Sequence, residues 1–289
     1  MYRRISSGAS APLQTWTLEK LQLAADNIDN FVLDAVEYEY LGDHSLLAEQ
    51  YDAVVFRGVK YRGREARSLA SAFCLAGKKV FDRRFRDSDS DFRPMSKAYV
   101  AEVLLRNGIP HPATQAISDI HAVRYEGEDF VVKLSKGGRR GNGVYLVNSD
   151  QAIERMQTHM SENDLLGNVF VRQQYIPNTG DYRMVLVGGS AVAISKRGQK
   201  DPTRVCMDSS IGRSKCVSLS QVWLTHYAAE ASRVLGLSFA SADVCVSREG
   251  IPYVIEINEC PSVKILSKRC KVNILRQYLR FIIMEVNNE

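Results

Sequence analysis

The segment Ala242–Asn258, ADVCVSREGIPYVIEIN, limits what this chain can fold into more than any other. Apolar and polar residues alternate on both sides of Glu249-Gly250, a dipeptide suited to a two-residue hairpin turn. That turn pairs Arg248 with Ile251. It sets Asp243 opposite Glu256, with Asn258 two residues further along the same face. The other face shows Ala242, Val244 and Val246 against Tyr253, Ile255 and Ile257, a core surface. Two carboxylates opposed across a ladder repel unless a proton or a cation lies between them. With an amide oxygen beside them they form a hard oxygen set suited to Mg²⁺. Asp243, Glu256 and Asn258 are therefore the candidate metal ligands. The plainer alternative is an exposed polar face without an ion.

Two further segments carry chemistry. Phe130–Val147, FVVKLSKGGRRGNGVYLV, reads as a strand bearing Lys133, a loop with Gly137, Gly138, Gly141 and Gly143, and a second strand. Glycines let a backbone approach a phosphate and aim its N–H groups at the oxygens. Arg139 and Arg140 add positive charge at the loop tip. No GKS or GKT follows and the GxGxxG pattern is missing, so a flexible turn with solvated arginines stands beside the phosphate reading. Val169–Arg197 ends one strand at GlnGlnTyrIlePro and turns a hairpin at Gly188-Gly189. That turn predicts Asp181 opposite Lys196, with Arg183 on the same face. Lys196, Arg197 and Arg204 then form a basic cluster, either a wall for nucleotide and anionic substrate or a surface ion-pair ladder.

The rest of the chain bounds the answer. Its 289 residues suit one large domain or two modest ones. Its net charge of +5 lies wholly within residues 95–289, because the charges before them balance. This excess is too small for a dedicated nucleic-acid binder, and no aromatic platform is interleaved with it. No apolar run is long enough for a membrane helix, and no apolar region follows the two N-terminal arginines. The six cysteines, at 74, 206, 216, 245, 260 and 270, form no CxxC pair. They read as reduced thiols of a cytoplasmic protein, with a zinc site improbable. RDSDSDFRP, from Arg86 to Pro94, reads as a linker.

Before the linker, strands at 52–56 and 78–81 flank a helix near Glu65–Leu75, a small α/β unit; Leu18–Ala25 and Ser45–Tyr51 also look helical. Beyond it, Ser96 caps a helix through about Arg106. Strands are expected near 113–117, 122–125, 129–134, 143–147, 169–175, 182–187, 190–196, 241–247 and 252–258. Helices are expected near 149–160, 219–236 and 271–286. Hairpins interleaved with helices give an α+β body. The five histidines, at 44, 111, 121, 159 and 226, fall outside the three chemical segments and read as structural. Arg57, Arg62 and Arg64 either grip an acidic substrate or are solvated surface charges.

Taken in order, FVVKLSKGGRRGNGV, RQQYIPNTGDYRMVLVGGSAVAISKR and ADVCVSREGIPYVIEINECP resemble the ATP-grasp superfamily, in particular its RimK-type carboxylate–amine ligases. The resemblance runs from Met95 to the end; YDAVVFRG only loosely resembles the preceding domain of that family. It implies an ATP-grasp fold, two α+β subdomains gripping ATP, at 95–172 and 173–289, after a pre-ATP-grasp α/β domain at 1–94. It implies that Lys97, Lys133, Gly138 and Gly141 contact nucleotide phosphates, that Gln174 and Tyr175 hold the adenine edge, and that Asp181 and Arg204 line the nucleotide. Asp243, Glu256 and Asn258 would bind Mg²⁺, with two ions expected and Mn²⁺ as a substitute. Arg197 would orient the transferring phosphate, with Lys196 as alternative and Arg183 beside it.

The chain departs from the family at Gln174, where Glu is usual, at Arg204-Val205-Cys206, where Arg-Ser-Asn is usual, and at Ser262, where glycine is usual. The resemblance further implies a ligase that makes an acyl phosphate and passes it to an amine, shielded by a lid at Gly137–Gly143 or Lys200–Lys215. The partners implied are ATP, a carboxylate and an amine (amino acid, peptide or protein tail), with no nucleic acid, no membrane and a homodimer as a family-level expectation. A small-molecule kinase and a non-catalytic ATP-binding regulator are the alternatives.

Overall fold

Each amphipathic sheet must cover its apolar face, and this chain does so with helices drawn from distant parts of the sequence. The computed structural model describes residues 12–28, 31–35, 42–57, 59, 62–86, 95–136, 143–178, 180–198 and 214–288. Along these run α1 (Pro12–Ala25), α2 (His44–Gln50), β1 (Ala53–Val55), α3 (Gly63–Leu75), β2 (Lys79–Phe81), α4 (Lys97–Arg106) and β3 (Thr114–Ile117). There follow β4 (Phe130–Leu134), β5 (Val144–Val147), α5 (Asp150–Glu162), β6 (Phe170–Gln174), β7 (Gly180–Val187), β8 (Ser190–Gly198) and β9 (Ser214–Cys216). The chain closes with α6 (Val222–Val234), β10 (Phe239–Val246), β11 (Pro252–Asn258), α7 (Lys264–Cys270) and α8 (Ile274–Asn287). This is an α+β fold with a small α/β unit at its front.

In the front unit, β1 and β2 pair in parallel through the α3 crossover, over a core of Phe56, Ala66, Leu69, Phe73 and Phe85. Asp82 fastens this unit to the body. It holds φ at +67° and accepts from both the backbone N–H and the hydroxyl of Ser238, at 2.9 and 2.7 Å.

β3-β6-β4-β5 form a four-stranded antiparallel sheet, covered on one face by α5 through Ile153, Met156 and Met160. Ser149 caps that helix by accepting from Ala152 N–H, and Ser96 caps α4 as expected by accepting from Tyr99 N–H. β6 extends to Gln174, past the expected subdomain division at residue 172. α4, expected within the central subdomain, buries Val100 and Leu104 against the other sheet. Residues 122–125 form no strand. Asp119 accepts from His121 N–H and caps a short 3₁₀ turn there instead.

The five-stranded antiparallel sheet runs β11-β10-β7-β8-β9. One face, with Met184, Leu186, Ile194, Ala242, Val244 and Val254, packs under α4 and α6. The other face is divided. Its Val185, Val187, Ala193 and Phe239 lie under α1, α7 and α8, while its other end is polar.

The helix expected at 271–286 forms as α8, three residues later at its start, and α7 stands before it without a sequence expectation. Lys271 adopts a left-handed conformation (φ +52°) that ends α7, and Asn273 caps α8. β9 had no sequence signal. It brings Cys216 to the end of α7, and Cys216 and Cys270 are joined as a disulfide across a Cα separation of 5.5 Å. This corrects the reading of all six cysteines as thiols and removes its support for a cytoplasmic location. Among the described residues, Cys74, Cys245 and Cys260 take no part in a disulfide. Among the described residues no helix is long and apolar enough to cross a membrane.

Candidate active site

The polar half of the five-stranded sheet is built by two hairpins whose registers depend on β-bulges. In β10–β11 the turn is one residue longer than expected: Ser247 N–H bonds to Ile251 O, and Gly250 sits at φ +83°. A bulge between Asp243 and Val244 absorbs the extra residue. Asp243 therefore still faces Glu256, and Ser241 faces Asn258. On the core side Val254 packs against Val244, in place of the expected Tyr253 and Ile255, which are half-buried.

In β7–β8 the Gly188-Gly189 turn forms as expected, but a bulge at Val185/Leu186 shifts the pairing by one. Asp181 faces Arg197 and not Lys196. A one-residue slip exchanges the faces. Lys196 is exposed on the opposite face, its ammonium 5.5 Å from the centre of the Tyr182 ring. Gly180 permits the close crossing here: at φ +138° a Cβ would meet Arg197 O at 2.2 Å.

The two hairpins place Arg197, Asp181, Arg183, Asp243 and Glu256 on one surface. Arg197 donates to both oxygens of Asp181, Nε at 2.5 Å and Nη2 at 2.7 Å, and reaches Asp243 Oδ2 at 2.9 Å. Arg183 lies 3.3 Å from Asp243 Oδ1 and donates to Ser241 Oγ at 3.1 Å. The arginine and both carboxylates that meet at its centre are buried, at 5%, 8% and 9% side-chain exposure. Burial pushes the Asp181 carboxyl up; Arg197 opposes this and Asp243 adds to it, leaving it at about 6. Burial also works upward on Asp243, but Arg197 and Arg183 together hold it below the usual carboxylate range. Burial alone would lower Arg197, but its two carboxylates more than offset that and raise it further.

The four-stranded sheet and α4 bring two lysines to the same place. Lys133, buried on β4, donates to Gln173 Oε1 at 2.5 Å, and its charge is felt at both Asp243 and Cys245. Lys97 opens α4; its N–H bonds to Ser135 O at 2.9 Å and its ammonium lies 3.8 Å from Glu256 Oε1. Gln174 lies exposed at the end of β6, its backbone N–H on Ala113 O and its side-chain oxygen 3.5 Å from Ala113 N. Tyr175 follows, half-buried. Gly138, Gly141 and Arg204 lie outside the described residues, with most of both expected lid segments. Arg62 and Arg64 are exposed. Arg57 is half-buried and donates to Pro261 O at 3.2 Å, beside the end of the β10–β11 hairpin.

Sequence reading missed Gln173, Ser241, Cys245 and His111. His111 is buried, bonded to β11 and to Gln173, and burial lowers it to about 4. Its place in GIPHP, between a helix stop and a strand, was the available signal.

The RimK-like ATP-grasp domain matches residues 95–282, which contain every element of this surface. The chain belongs to the RimK-like ATP-grasp family. A probable alpha-L-glutamate ligase of Hydrogenovibrio crunogenus is 27% identical over 199 residues, 66% of this chain and 64% of its own length. The chain thus spans slightly under two thirds of that relative. Among solved structures, the D-alanine–D-alanine ligase of Bacillus anthracis in complex with ATP superposes with a TM-score of 0.63 at 15% identity, over 99% of this chain and 95% of that one. The ATP-grasp ligase PsnB with its minimal precursor, Mg and ADP gives 0.57 at 17%, over 79% and 70%. At these identities the structures share the fold.

The donor chemistry of this RimK-like surface fits Mg²⁺. Glu256 and Asn258 are half-buried oxygen donors at its rim, and Asp243 keeps lone pairs beyond its contacts with Arg197 and Arg183. Among the described residues no three His, Cys, Asp or Glu cluster, so any ion here needs the amide oxygen and ligands from a bound substrate.

Proposed function

We propose that this RimK-like protein is an ATP-dependent carboxylate–amine ligase, forming an amide bond through an acyl phosphate. One observation carries the reading: Arg197, Arg183, Lys133 and Lys97 surround Asp243 and Glu256 on one surface assembled from both sheets. Phosphoryl transfer asks a protein for positioning and for neutralisation of developing charge. That surface supplies both.

Lys133 and Lys97 hold nucleotide phosphates. Asp181 holds the Arg197 guanidinium rigid, and Arg197 orients the transferring phosphoryl group. Asp243, Glu256 and Asn258 would hold Mg²⁺, which when bound would supply charge neutralisation for the phosphates. A carboxylate oxygen of the first substrate attacks the γ-phosphorus, and the bond to the ADP oxygen breaks. The amine nitrogen of the second substrate then attacks the acyl carbon. Phosphate departs with the C–O electron pair, and the nitrogen gives its proton to phosphate or solvent. The names of the curated relatives support an amino acid as one substrate.

The test is calorimetric titration with a non-hydrolysable ATP analogue, with and without Mg²⁺, for the native protein and the Glu256→Ala/Asn258→Ala double variant. The reading expects Mg²⁺-enhanced binding in the native protein alone, and ADP release only when a carboxylate and an amine are both present. A folded protein that binds no analogue overturns it. ADP release with a carboxylate or other acceptor and no amine makes it a kinase.

A further inference from the structure

The Lys133 ammonium meets the side-chain amide of Gln173, and that amide is held by groups whose hydrogen-bond directions are forced. The carbonyl of Val254 can only accept, so the 2.6 Å contact from His111 Nδ1 requires the hydrogen on Nδ1. A neutral imidazole then has a bare Nε2, which can only accept. Thr114 has one hydroxyl hydrogen, which goes to Pro112 O at 2.8 Å or His111 Nε2 at 3.3 Å, both acceptors, so toward Gln173 its oxygen accepts. The Gln173 NH₂ group lies 3.3 Å from His111 Nε2 and 3.0 Å from Thr114 Oγ1, and both its hydrogens are used there. The Gln173 carbonyl oxygen must therefore point the other way, onto the Lys133 ammonium at 2.5 Å.

The arrangement crosses the molecule. His111 lies between α4 and β3, Gln173 on β6, Lys133 on β4, and Val254 on β11, two residues from Glu256. Val254 N–H returns a bond to Pro110 O at 2.9 Å, so the junction is tied twice.

We propose that His111 and Gln173 are positioning residues: neutral His111, anchored on β11, fixes the Gln173 amide so that its oxygen aims the Lys133 ammonium without cancelling its charge. An acidic residue in place of Gln173 would hold the lysine equally well and neutralise it. The amide holds by a dipole and does not itself neutralise the ammonium. The functional part rests on Lys133 being a nucleotide-phosphate contact, as proposed above.

The experiment uses the full chain with ¹⁵N-labelled histidine. In the native protein at pH 7 the His111 ring is expected as the neutral Nδ1–H tautomer. An Nε2–H tautomer or an imidazolium overturns the proposal without reference to nucleotide. Two variants follow, each checked for folding by its amide spectrum. Gln173→Leu removes the oxygen and is expected to raise the Kd of the ATP analogue about tenfold, the lower range for a charged hydrogen bond. Gln173→Glu keeps an oxygen on Lys133 but places a carboxylate between Lys133 and His111, the charged and titratable groups facing it. It is expected to weaken the analogue as well and to turn His111 into an imidazolium at pH 7. A merely structural contact predicts native affinity in Gln173→Glu, and that result overturns the proposal. If the native protein binds no analogue, the ligase reading fails, while the tautomer still decides the hydrogen-bond relay.

Discussion

Replacing Arg197 with methionine tests the centre of the surface directly. The guanidinium is the shared partner of two buried carboxylates, with contacts of 2.5 and 2.7 Å to Asp181 and 2.9 Å to Asp243. Its loss leaves Asp243 with Arg183 at 3.3 Å and strips Asp181 of its cation. Removing one partner of a buried pair costs about 3–5 kcal/mol, mostly through the uncompensated charge left behind. The pH dependence carries the sharper signature. Asp181 is already raised to about 6 by burial with Arg197 present, so without it the carboxyl rises further. A carboxyl whose folded pKa lies above its unfolded value favours the fold at low pH and loses that contribution as pH rises through the folded pKa. For one proton the slope is about 1.4 kcal/mol per pH unit. The deficit of Arg197→Met should therefore be small near pH 5 and grow by roughly 2–3 kcal/mol between pH 6 and 8. Urea unfolding at four pH values measures this. A deficit below about 1 kcal/mol that does not change with pH, the size of a surface pair, would refute the buried shared-charge reasoning.

Three other perturbations follow from the same geometry. Lys196→Ala should leave analogue affinity unchanged within twofold, because Lys196 lies on the far face of β8; a tenfold loss in titration would return it to the site. Gly180→Ala drives a Cβ into Arg197 O and should destabilise the protein by several kcal/mol, roughly 2–4 by analogy with other overpacked, strained backbone positions, read by thermal unfolding. A native midpoint would mean β7 and β8 separate freely there. Opening the Cys216–Cys270 disulfide, whose cysteines are 54 residues apart, should cost about 2–4 kcal/mol in urea unfolding with and without reductant. Cys216→Ser should then be insensitive to reductant, and equal sensitivity in both proteins would show that this bond does not contribute.

Much of this site was legible because two physical rules act locally. Strand alternation and the repulsion of facing carboxylates placed Asp243 against Glu256, and the structure keeps that pairing by a different route. The turn gains a residue and a bulge takes it back. In β7–β8 nothing cancels the bulge, so the partner of Asp181 changes from Lys196 to Arg197. Turn chemistry sets the register at the turn alone; whether it survives to the far end depends on which residues the core accepts. Ile194 is the large apolar residue of inner β8, and it shares a core with Met184 and Leu186. Matching that face first would have forced Lys196 outward. Gln173 and His111 were illegible for another reason. They act across separations of 40 and 62 residues, and no local pattern encodes such a contact. β9 and its disulfide depend in the same way on a pairing with α7 that only the assembled sheet creates.

On the proposed ligase reading, the charges of this surface would also set the order in which ligands bind. Among the described residues, Arg183, Arg197, Lys97 and Lys133 face Asp181, Asp243 and Glu256, so there cations outnumber carboxylates before any ligand arrives. A divalent cation entering alone must displace arginine from Asp243 or sit beside Lys97 at Glu256. Unit charges about 4 Å apart near a protein surface interact by about 4 kcal/mol, so that repulsion offsets part of what Glu256 and Asn258 alone offer. A nucleotide reverses the balance, because its phosphates take up the lysines and add oxygen ligands for the metal. Mg²⁺ and nucleotide should then bind with positive coupling, and by linkage each raises the affinity of the other by the same factor. Millimolar Mg²⁺ alone is expected to leave the melting temperature unchanged. The analogue should raise it, and Mg²⁺ added with the analogue should raise it further. A clear rise with Mg²⁺ alone would mean that Asp243 is free of its arginines in solution, and the shared-charge network with Arg197 at its centre would not stand.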